Sequence, residues 1–263
     1  MTTTEAPVPV RPPFSHALAG RTAVIIGGSS GIGLAAGEQL ASLGARVVLT
    51  GRDKTRLDEA VRRAGAAGDG TVLGIAADAR DEDALEAVFD GAGTVDHVLL
   101  TAGGLTGAAP VTEITREAAR EAFHERLWVA LAVARTAVPR LPAGGSITFS
   151  SGVFVARPRP GMAAPLAAVG GVETLTRALA AELSPRRVRV NALRFGTFDT
   201  PLPRSMMGAG ADEAGDRAVA AAGAALPLGR WGTPEEAASA VLFLMANGYM
   251  TGEVLTVDGG ASL

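Results

Sequence analysis

The sequence predicts an α/β domain in which one parallel sheet of seven strands carries helices on both faces. Short apolar runs rich in Val, Ile and Leu alternate along the chain with longer segments of helical periodicity. Strands that are apolar on both faces are typical of a parallel sheet buried between two helical layers. Of the 263 residues, 48% are hydrophobic and 19% are charged, which is enough apolar material for a large core.

The individual elements follow from the spacing of apolar residues and from the Gly and Pro residues between them. The predicted strands are residues 22–26, 45–50, 72–77, 95–100, 146–150, 188–193 and 254–257. The predicted helices are residues 31–43, 53–64, 81–89, 112–139, 163–183 and 234–246. Because no linker or internal repeat divides this series, we expect residues 18–263 to form a single domain.

Two segments lie outside this alternation. Residues 1–17 are rich in Pro and Thr, and we expect them to form a flexible N-terminal arm. Residues 203–225 are rich in Gly, Ala and Met. We expect this second segment to be mobile and to cover a binding site, as lid segments of this composition often do.

Composition and charge exclude several classes of function. The net charge of −3 gives no basic face for binding nucleic acid. The chain has no Cys and only three His, so we expect neither disulfide bonds nor a bound metal. No run approaches the roughly 20 apolar residues of a membrane span. Since no signal peptide is visible either, we expect a cytoplasmic protein.

The turn after the first predicted strand has the features that bind a pyrophosphate. It reads Gly27-Gly28-Ser29-Ser30-Gly31-Ile32-Gly33. Residues without a Cβ let the backbone approach a phosphate closely, and a helix N-terminus offers unpaired N–H groups and positive dipole charge. Glycines also serve tight turns for steric reasons alone. The strand before and the helix after favour a dinucleotide site, and hence a doubly wound sheet of the Rossmann type.

The end of the second predicted strand indicates which dinucleotide is bound. Sites for NAD usually have an acidic residue there to bind the ribose 2′-hydroxyl, whereas a nearby Arg accommodates the 2′-phosphate of NADP. Here Gly51 stands at the acidic position and Arg52 follows it. Arg52 has a second interpretation as a solvated loop charge. Its position favours NADP(H) over NAD(H), and the hydroxyls of Ser29 and Ser30 are placed to contact the same phosphate.

Several motifs together resemble the short-chain dehydrogenase/reductase family over residues 18–263. They are the glycine turn, Asp78-Ala79, Thr101-Ala102-Gly103, Val188-Arg189-Val190-Asn191-Ala192 with Gly196 and Thr200, Pro227-Leu228-Gly229-Arg230-Trp231-Gly232-Thr233-Pro234-Glu235-Glu236, Thr251-Gly252, and Val257-Asp258-Gly259-Gly260. The resemblance implies the fold, a nicotinamide cofactor and a small-molecule substrate. The cofactor-binding residues that it and the turn imply are Gly27, Ser29, Ser30, Gly31, Ile32, Gly33, Arg52, Asp78, Ala79, Ala102, Gly103, Gly196, Phe198 and Thr200.

The catalytic residues of that family are missing from their expected positions. The family uses a Tyr as proton donor and, four residues later, a Lys that lowers the pKa of the Tyr. The segment 172–177 resembles the one that follows the Lys, and counting back from it places Val169 at the Lys position and Pro165 at the Tyr position. The only Tyr in the chain is Tyr249, and the only Lys is Lys54.

Two residues remain as catalytic candidates. The Ser of the family falls on Gly152 by direct counting, and on Ser151 if the loop is one residue longer. The Asn on its central helix falls on Arg126. An Arg is a poor proton donor, but it can stabilise an oxyanion or bind an acidic substrate. Its alternative role is an ion pair with Glu121, Glu125 or a partner chain.

Two functions are compatible with these residues. The first is an NADP(H)-dependent oxidoreductase with an atypical active site, acting on a substrate that needs no strong protein acid. The second is a non-redox role on the same scaffold, as a cyclase or isomerase, a cofactor sensor or a partner subunit. Arg157 and Arg159 are placed either to line a substrate cleft or to face solvent.

The long predicted helices indicate an assembly. Residues 120–138 and 163–183 are rich in Ala and Leu over more than one face, and such helices need a covering surface. The family resemblance implies that helices of this kind pair across a dimer, commonly within a tetramer. We therefore expect a homodimer or homotetramer.

Overall fold

The computed structural model describes residues 15–263. Most of the predicted N-terminal arm, residues 1–14, lies outside the described residues. A short helix, α1 (Ser15–Leu18), precedes the first strand, and the side chain of Leu18 is fully buried. The domain boundary at residue 18 stays a prediction.

Seven strands form one parallel sheet, as the sequence predicts. They are β1 (Thr22–Ile26), β2 (Arg46–Gly51), β3 (Val72–Ala76), β4 (His97–Leu100), β5 (Ser146–Gly152), β6 (Arg189–Phe195) and β7 (Val254–Val257). The strand order is β3-β2-β1-β4-β5-β6-β7, and every neighbouring pair is parallel. The chain reverses its direction of winding between β1 and β4, which is where doubly wound sheets open a crevice for ligands.

Helices cover both faces of this sheet. After α1 they are α2 (Gly31–Ser42), α3 (Lys54–Gly65), α4 (Glu82–Ala92), α5 (Arg116–Phe123), α6 (Val129–Ala137), α7 (Ala163–Leu183), α8 (Pro201–Met206), α9 (Glu213–Gly223) and α10 (Pro234–Ala246). Val24 of β1 lies in a buried cluster with Phe89 of α4. Its neighbour Ile25 lies in a second cluster with Leu40 of α2 and Leu242 of α10. Adjacent strand residues thus supply two separate cores, one under each helical layer.

The central helix differs from its prediction. It begins at Arg116, where Thr115 caps it by accepting a hydrogen bond from the amide of Ala118. Between α5 and α6 the chain forms a turn of π-helix, His124–Trp128. Such turns change which side chains share a face of the helix, and they occur frequently at functional sites. Arg126 lies in this turn.

The segment 203–225 contains two short helices. Most of α8 and all of α9 lie within it. Arg204 of α8 connects the two helices, because its Nη2 donates to Asp216 Oδ1 of α9 at 2.8 Å. The same Nη2 donates to Asp199 Oδ2, just before α8, at 2.8 Å. Gly, Ala and Met are compatible with helices as well as with loops, so the composition of this segment does not distinguish a helix from a loop. The mobility of this segment stays a prediction.

The Arg-Val-Asn motif has a structural role at the other end of β6. Arg189 is buried and donates hydrogen bonds to the carbonyl oxygens of Leu244, Met245 and Met250. Asn191 also donates to the carbonyl of Met250. These bonds satisfy carbonyl groups at and beyond the C-terminal turn of α10, which would otherwise be buried without partners. The motif therefore fastens β6 to α10.

One buried histidine makes stability depend on pH. His97 is 5% exposed, and its Nδ1 lies 2.8 Å from the hydroxyl oxygen of Ser146. Burial lowers the pKa of His97 from 6.5 to about 4. Because the unfolded chain binds this proton at higher pH than the native chain does, the stability contribution is present above pH 6.5 and is lost as pH falls towards 4.

We expect the free energy of unfolding to fall by about 2–3 kcal/mol from this group alone between pH 7 and pH 4.5. Urea denaturation at the two pH values measures the change, and the variant His97→Gln is expected to show correspondingly less of it. The control is His124→Gln, which should retain the wild-type dependence. If the free energy of unfolding depends equally on pH in the wild type and in His97→Gln, His97 is not the group responsible.

Candidate cofactor and substrate site

A cavity of about 680 Å³ opens at the carboxyl edge of the sheet, where β1 and β4 diverge. Residues that follow β1, β2, β4, β5 and β6 line it, together with Arg126 from the π-helical turn. Every residue of the predicted cofactor set lines this one cavity, and so do Ser151 and Arg126. The structure thus brings together residues that lie up to about 170 positions apart in sequence.

The glycine turn is shaped by close backbone contacts. Gly27 has a φ of +95°, and a Cβ there would lie 2.6 Å from the amide nitrogen of Ala102. A Cβ on Gly33 would overlap the carbonyl oxygen of Gly27. The helix α2 begins at Gly31, and the side chain of Ser30 does not cap it. The first amides of α2 therefore face the cavity edge without a side-chain acceptor, which fits a bound anionic group.

The opposite end of the same groove is basic. A Cβ on Gly51 would lie only 2.6 Å from the hydroxyl oxygen of Ser29, so an acidic side chain at this position would collide with Ser29. Arg52, the next residue, is exposed and lines the cavity. Within residues 15–263 it makes no ion pair with a carboxylate.

Asp78 lies close to this basic end. Its carboxylate accepts hydrogen bonds from Arg80, the shortest of them 2.6 Å from Nη2 to Oδ2. The guanidinium of Arg80 holds the pKa of Asp78 below its ordinary value, and the charge of Arg52 acts in the same direction more weakly. Asp78 is therefore an ionised hydrogen-bond acceptor at neutral pH.

The hydroxyl of Ser151 is already committed to a buried carboxylate. Ser151 Oγ donates to Glu173 Oε1 at 2.6 Å, and Glu173 forms a two-bonded ion pair with Arg194 at 2.9 and 2.6 Å. The side chain of Glu173 is only 6% exposed. A Cβ on Gly152, by contrast, would meet no atom within 4 Å. The open position at the end of β5 is therefore Gly152.

Sequence reasoning missed Glu173 and Arg194. The signal that was available is a charged residue in the middle of the apolar helix α7, at Glu173. Nothing in the sequence identifies its partner, because that depends on α7 lying across the carboxyl ends of β5 and β6.

The cavity wall on the α7 side is apolar. Leu166 and Val169 line the cavity, and Pro165 is buried beside them on the same helix. Tyr249 is 99% exposed and Lys54 pairs with Asp58 at 2.7 Å on the surface. Neither of these residues lines the cavity, nor does any described His. Among the described lining residues, the substrate end of the cavity therefore has no Tyr, Lys or His, and the carboxylate beside Arg126 is that of Glu125.

Arg126 is the cationic group at this end among the described residues. Its Nε donates to the carbonyl oxygen of Gly104 at 2.8 Å. A Cβ on Gly103, whose φ is +130°, would lie 3.0 Å from Cδ and Nε of Arg126. Burial lowers the pKa of Arg126 to about 10, opposed by the charge of Glu125. The guanidinium still carries its charge at neutral pH.

The predicted intrachain ion pairs of Arg126 do not form. Glu121 pairs with Arg80 at 3.6 Å, and Glu125 accepts a hydrogen bond from the hydroxyl of Thr106. Among the described residues, no carboxylate oxygen lies within 4 Å of the Arg126 guanidinium. That interpretation is therefore wrong for Glu121 and Glu125.

Comparison with known proteins identifies the family. Residues 27–262 match the family model described as enoyl-(acyl carrier protein) reductase. The chain is 37% identical to the short-chain dehydrogenase/reductase ATR9 of Stachybotrys chlorohalonatus, covering 93% of this chain and 98% of that protein. The chain belongs to the short-chain dehydrogenase/reductase family. It is also 32% identical to the 3-oxoacyl-[acyl-carrier-protein] reductase FabG of Thermotoga maritima, covering 92% and 98% of the two proteins.

Two solved structures of this family are similar over nearly the whole chain. The MalC reductase/Diels-Alderase from Malbranchea aurantiaca has a TM-score of 0.85 and 28% identity, covering 94% of this chain and 98% of that one. A short-chain oxidoreductase from Pseudomonas aeruginosa PAO1, described as containing an atypical catalytic center, has a TM-score of 0.82 and 30% identity. That match covers 94% of this chain and 97% of the other.

Short-chain dehydrogenases/reductases use a nicotinamide cofactor, and the geometry of this cavity fits one. The close contacts at Gly27 and Gly33 keep side chains out of the groove beside α2, whose first amides lack a side-chain cap. An anionic linker can therefore approach backbone N–H groups directly.

Between residues 15 and 263, no three His, Asp or Glu side chains are grouped so that they could hold a metal ion. In the same part of the chain, no helix is both long and apolar enough to cross a membrane.

Proposed function

We propose that this short-chain dehydrogenase/reductase is an NADP(H)-dependent oxidoreductase that transfers a hydride to or from a small organic substrate without a Tyr–Lys acid. One observation carries the proposal. The dinucleotide groove retains its glycine turn, whereas the substrate end offers a guanidinium, a glycine and an apolar wall. The P. aeruginosa relative with an atypical catalytic center supports the possibility of such a site within this fold.

The proposed cofactor would lie along the groove from Arg52 to Gly196. Its pyrophosphate would lie against the glycine turn and α2, and its adenine beside Asp78 and Ala79. When bound, the cofactor supplies or accepts a hydride. The residues proposed to hold it are Gly27, Ser29, Ser30, Gly31, Ile32, Gly33, Arg52, Asp78, Ala79, Ala102, Gly103, Gly196, Phe198 and Thr200.

The basic end of the groove supports NADP(H) over NAD(H). Ser29 occupies the space in which an acidic side chain at position 51 would bind a ribose 2′-hydroxyl. Arg52 has no carboxylate partner among the described residues, so its charge remains available for a 2′-phosphate.

The substrate end determines which reactions are feasible. Hydride addition leaves negative charge on the substrate, and an ordinary ketone then needs a strong acid nearby. Arg126 can stabilise that charge but does not readily give up its proton. Conjugated enones and quinones give a stabilised anion that can take its proton from water, and iminium ions give a neutral amine that needs no proton. We therefore propose an acceptor of this activated kind.

A second candidate is a non-redox reaction on the same scaffold. The similarity to MalC, a reductase/Diels-Alderase, favours it, as does an apolar wall facing a hydrogen-bond-donating guanidinium. Such a site could bind a polyunsaturated substrate and polarise a carbonyl group during cyclisation. It would require no proton donor, which matches the absence of Tyr, Lys and His from the described lining.

A substrate panel separates the two candidates. The purified protein would be incubated with NADPH and with enones, quinones, imines and saturated ketones, including members that carry a carboxylate, while loss of NADPH absorbance is followed. We expect oxidation of NADPH with at least one activated class and none with saturated ketones. No oxidation with any class, or equal rates with saturated ketones, would contradict the proposed oxidoreductase.

The cofactor preference is tested with the variant Arg52→Gln. Removing one charge-assisted contact to a phosphate is expected to weaken NADP⁺ binding by about tenfold or more and to leave NAD⁺ binding nearly unchanged. Isothermal titration calorimetry measures both affinities. The matched control is Arg62→Gln, also exposed on the surface but outside this cavity. Tighter binding of NAD⁺ than NADP⁺ by the wild type would reject the preference.

A further inference from the structure

Arg126 leaves both terminal nitrogens of its guanidinium without an acceptor among the described residues, in contrast to three other arginines of low exposure. Arg194 is paired with Glu173, and Arg230 is paired with Glu236. Arg189 donates hydrogen bonds from both of its terminal nitrogens to backbone carbonyl oxygens. At Arg126 only Nε has an acceptor, the carbonyl of Gly104, and neither Nη atom has one among the described residues. The unused edge belongs to a residue that lines the cavity.

The guanidinium is also held in place before any ligand binds. The Nε bond to Gly104 fixes its plane from one side, and the backbone of Gly103 packs against Cδ and Nε. A rigid guanidinium edge with two N–H-bearing nitrogens matches the two oxygens of a carboxylate in a bidentate pair. The nearest acidic residue in sequence, Glu125, is engaged by Thr106 and does not fill this role.

Apolar residues line the same cavity as this edge, and the loop beside them is cationic. Val153, Phe154, Leu166 and Val169 line the same cavity. The guanidinium of Arg159 lies 4.2 Å above the centre of the Phe154 ring, so a positive charge is stacked on a cavity-lining residue. A partly buried cation without an anionic partner has lost part of its hydration, and pairing with an anionic ligand offsets that cost.

We propose that Arg126 binds a carboxylate carried by an otherwise apolar substrate. This inference rests on the proposed function, because that function places the substrate at this end of the cavity. It extends the role of Arg126 from stabilising charge that develops during reaction to recognising charge that the substrate already carries. The apolar residues would contact the body of the substrate, and Arg159 would attract the anion during its approach.

The test compares acids with neutral molecules of the same shape. Trans-cinnamate and cinnamamide form one pair, and octanoate and octanamide form a second, each titrated calorimetrically into the full-length protein at saturating NADP⁺. We expect each acid to bind at least about tenfold more tightly than its amide, as a charge-assisted bidentate pair requires. Equal binding of acid and amide in both pairs would overturn the inference.

Variants assign the preference to this residue. Arg126→Gln is expected to abolish the difference between acid and amide, and Arg126→Lys to retain part of it, because Lys keeps the charge but loses the planar fork. Arg116→Gln, an exposed position on α5, should behave as wild type. An undiminished preference for acids in folded Arg126→Gln would overturn the assignment. If Arg126→Gln fails to fold, the comparison of acid with amide in the wild type and in Arg126→Lys still tests the inference.

This test is separable from that of the proposed oxidoreductase. Acid preference without NADPH oxidation on any substrate would support the anion site and contradict the oxidoreductase. NADPH-dependent reduction of neutral enones with equal binding of acids and amides would support the oxidoreductase and contradict the anion site.

Discussion

The close packing of the glycine turn against the end of β4 is the constraint on which the rest of the site depends. The amide of Thr101 donates to the carbonyl oxygen of Ile26 at 2.8 Å, and the hydroxyl of Thr101 donates to the carbonyl oxygen of Gly27 at 3.1 Å. Neither Gly27 nor Gly33 has room for a Cβ in this arrangement. The sheet therefore opens where its winding reverses, with the first amides of α2 directed at the opening. The residues that follow the other strands line this same crevice.

The two ends of the crevice have different electrostatic properties. The end near Arg52 combines unpaired positive charge with hydroxyl groups, as expected for an additional phosphate. At the other end, the carboxylate of Glu173 is neutralised by Arg194 and accepts a hydrogen bond from the hydroxyl of Ser151. Removing either partner of such a buried ion pair would leave an uncompensated charge. Arg126 has no carboxylate partner among the described residues, so the substrate end provides hydrogen-bond donors and positive charge but no Tyr, Lys or His.

The strands and the glycine turn could be predicted because their signals are local. The proximity of the proposed cofactor-binding residues could be predicted because it follows from motifs that stand in one order along the chain. The pairing of Glu173 with Arg194 could not, since it requires knowing how α7 crosses β5 and β6. The surroundings of Ser151 and Gly152 also depend on the fold: Ser151 donates to Glu173, whereas a Cβ on Gly152 would meet no atom within 4 Å. The π-helical turn at Arg126 has no clear sequence signature. The helices of the 203–225 segment could not be predicted because Gly, Ala and Met are compatible with both helices and loops.

We infer that hydride transfer at this site would proceed without a titrating side-chain acid. Single-turnover oxidation of bound NADPH by an activated acceptor, measured from about pH 6 to pH 9, tests this directly, because a general acid imposes its pKa on the rate. We expect a rate that is flat across this range, since Arg126 keeps its proton throughout. A rate that falls tenfold for each unit of pH above a pKa within the range would reveal a side-chain proton donor and contradict this inference.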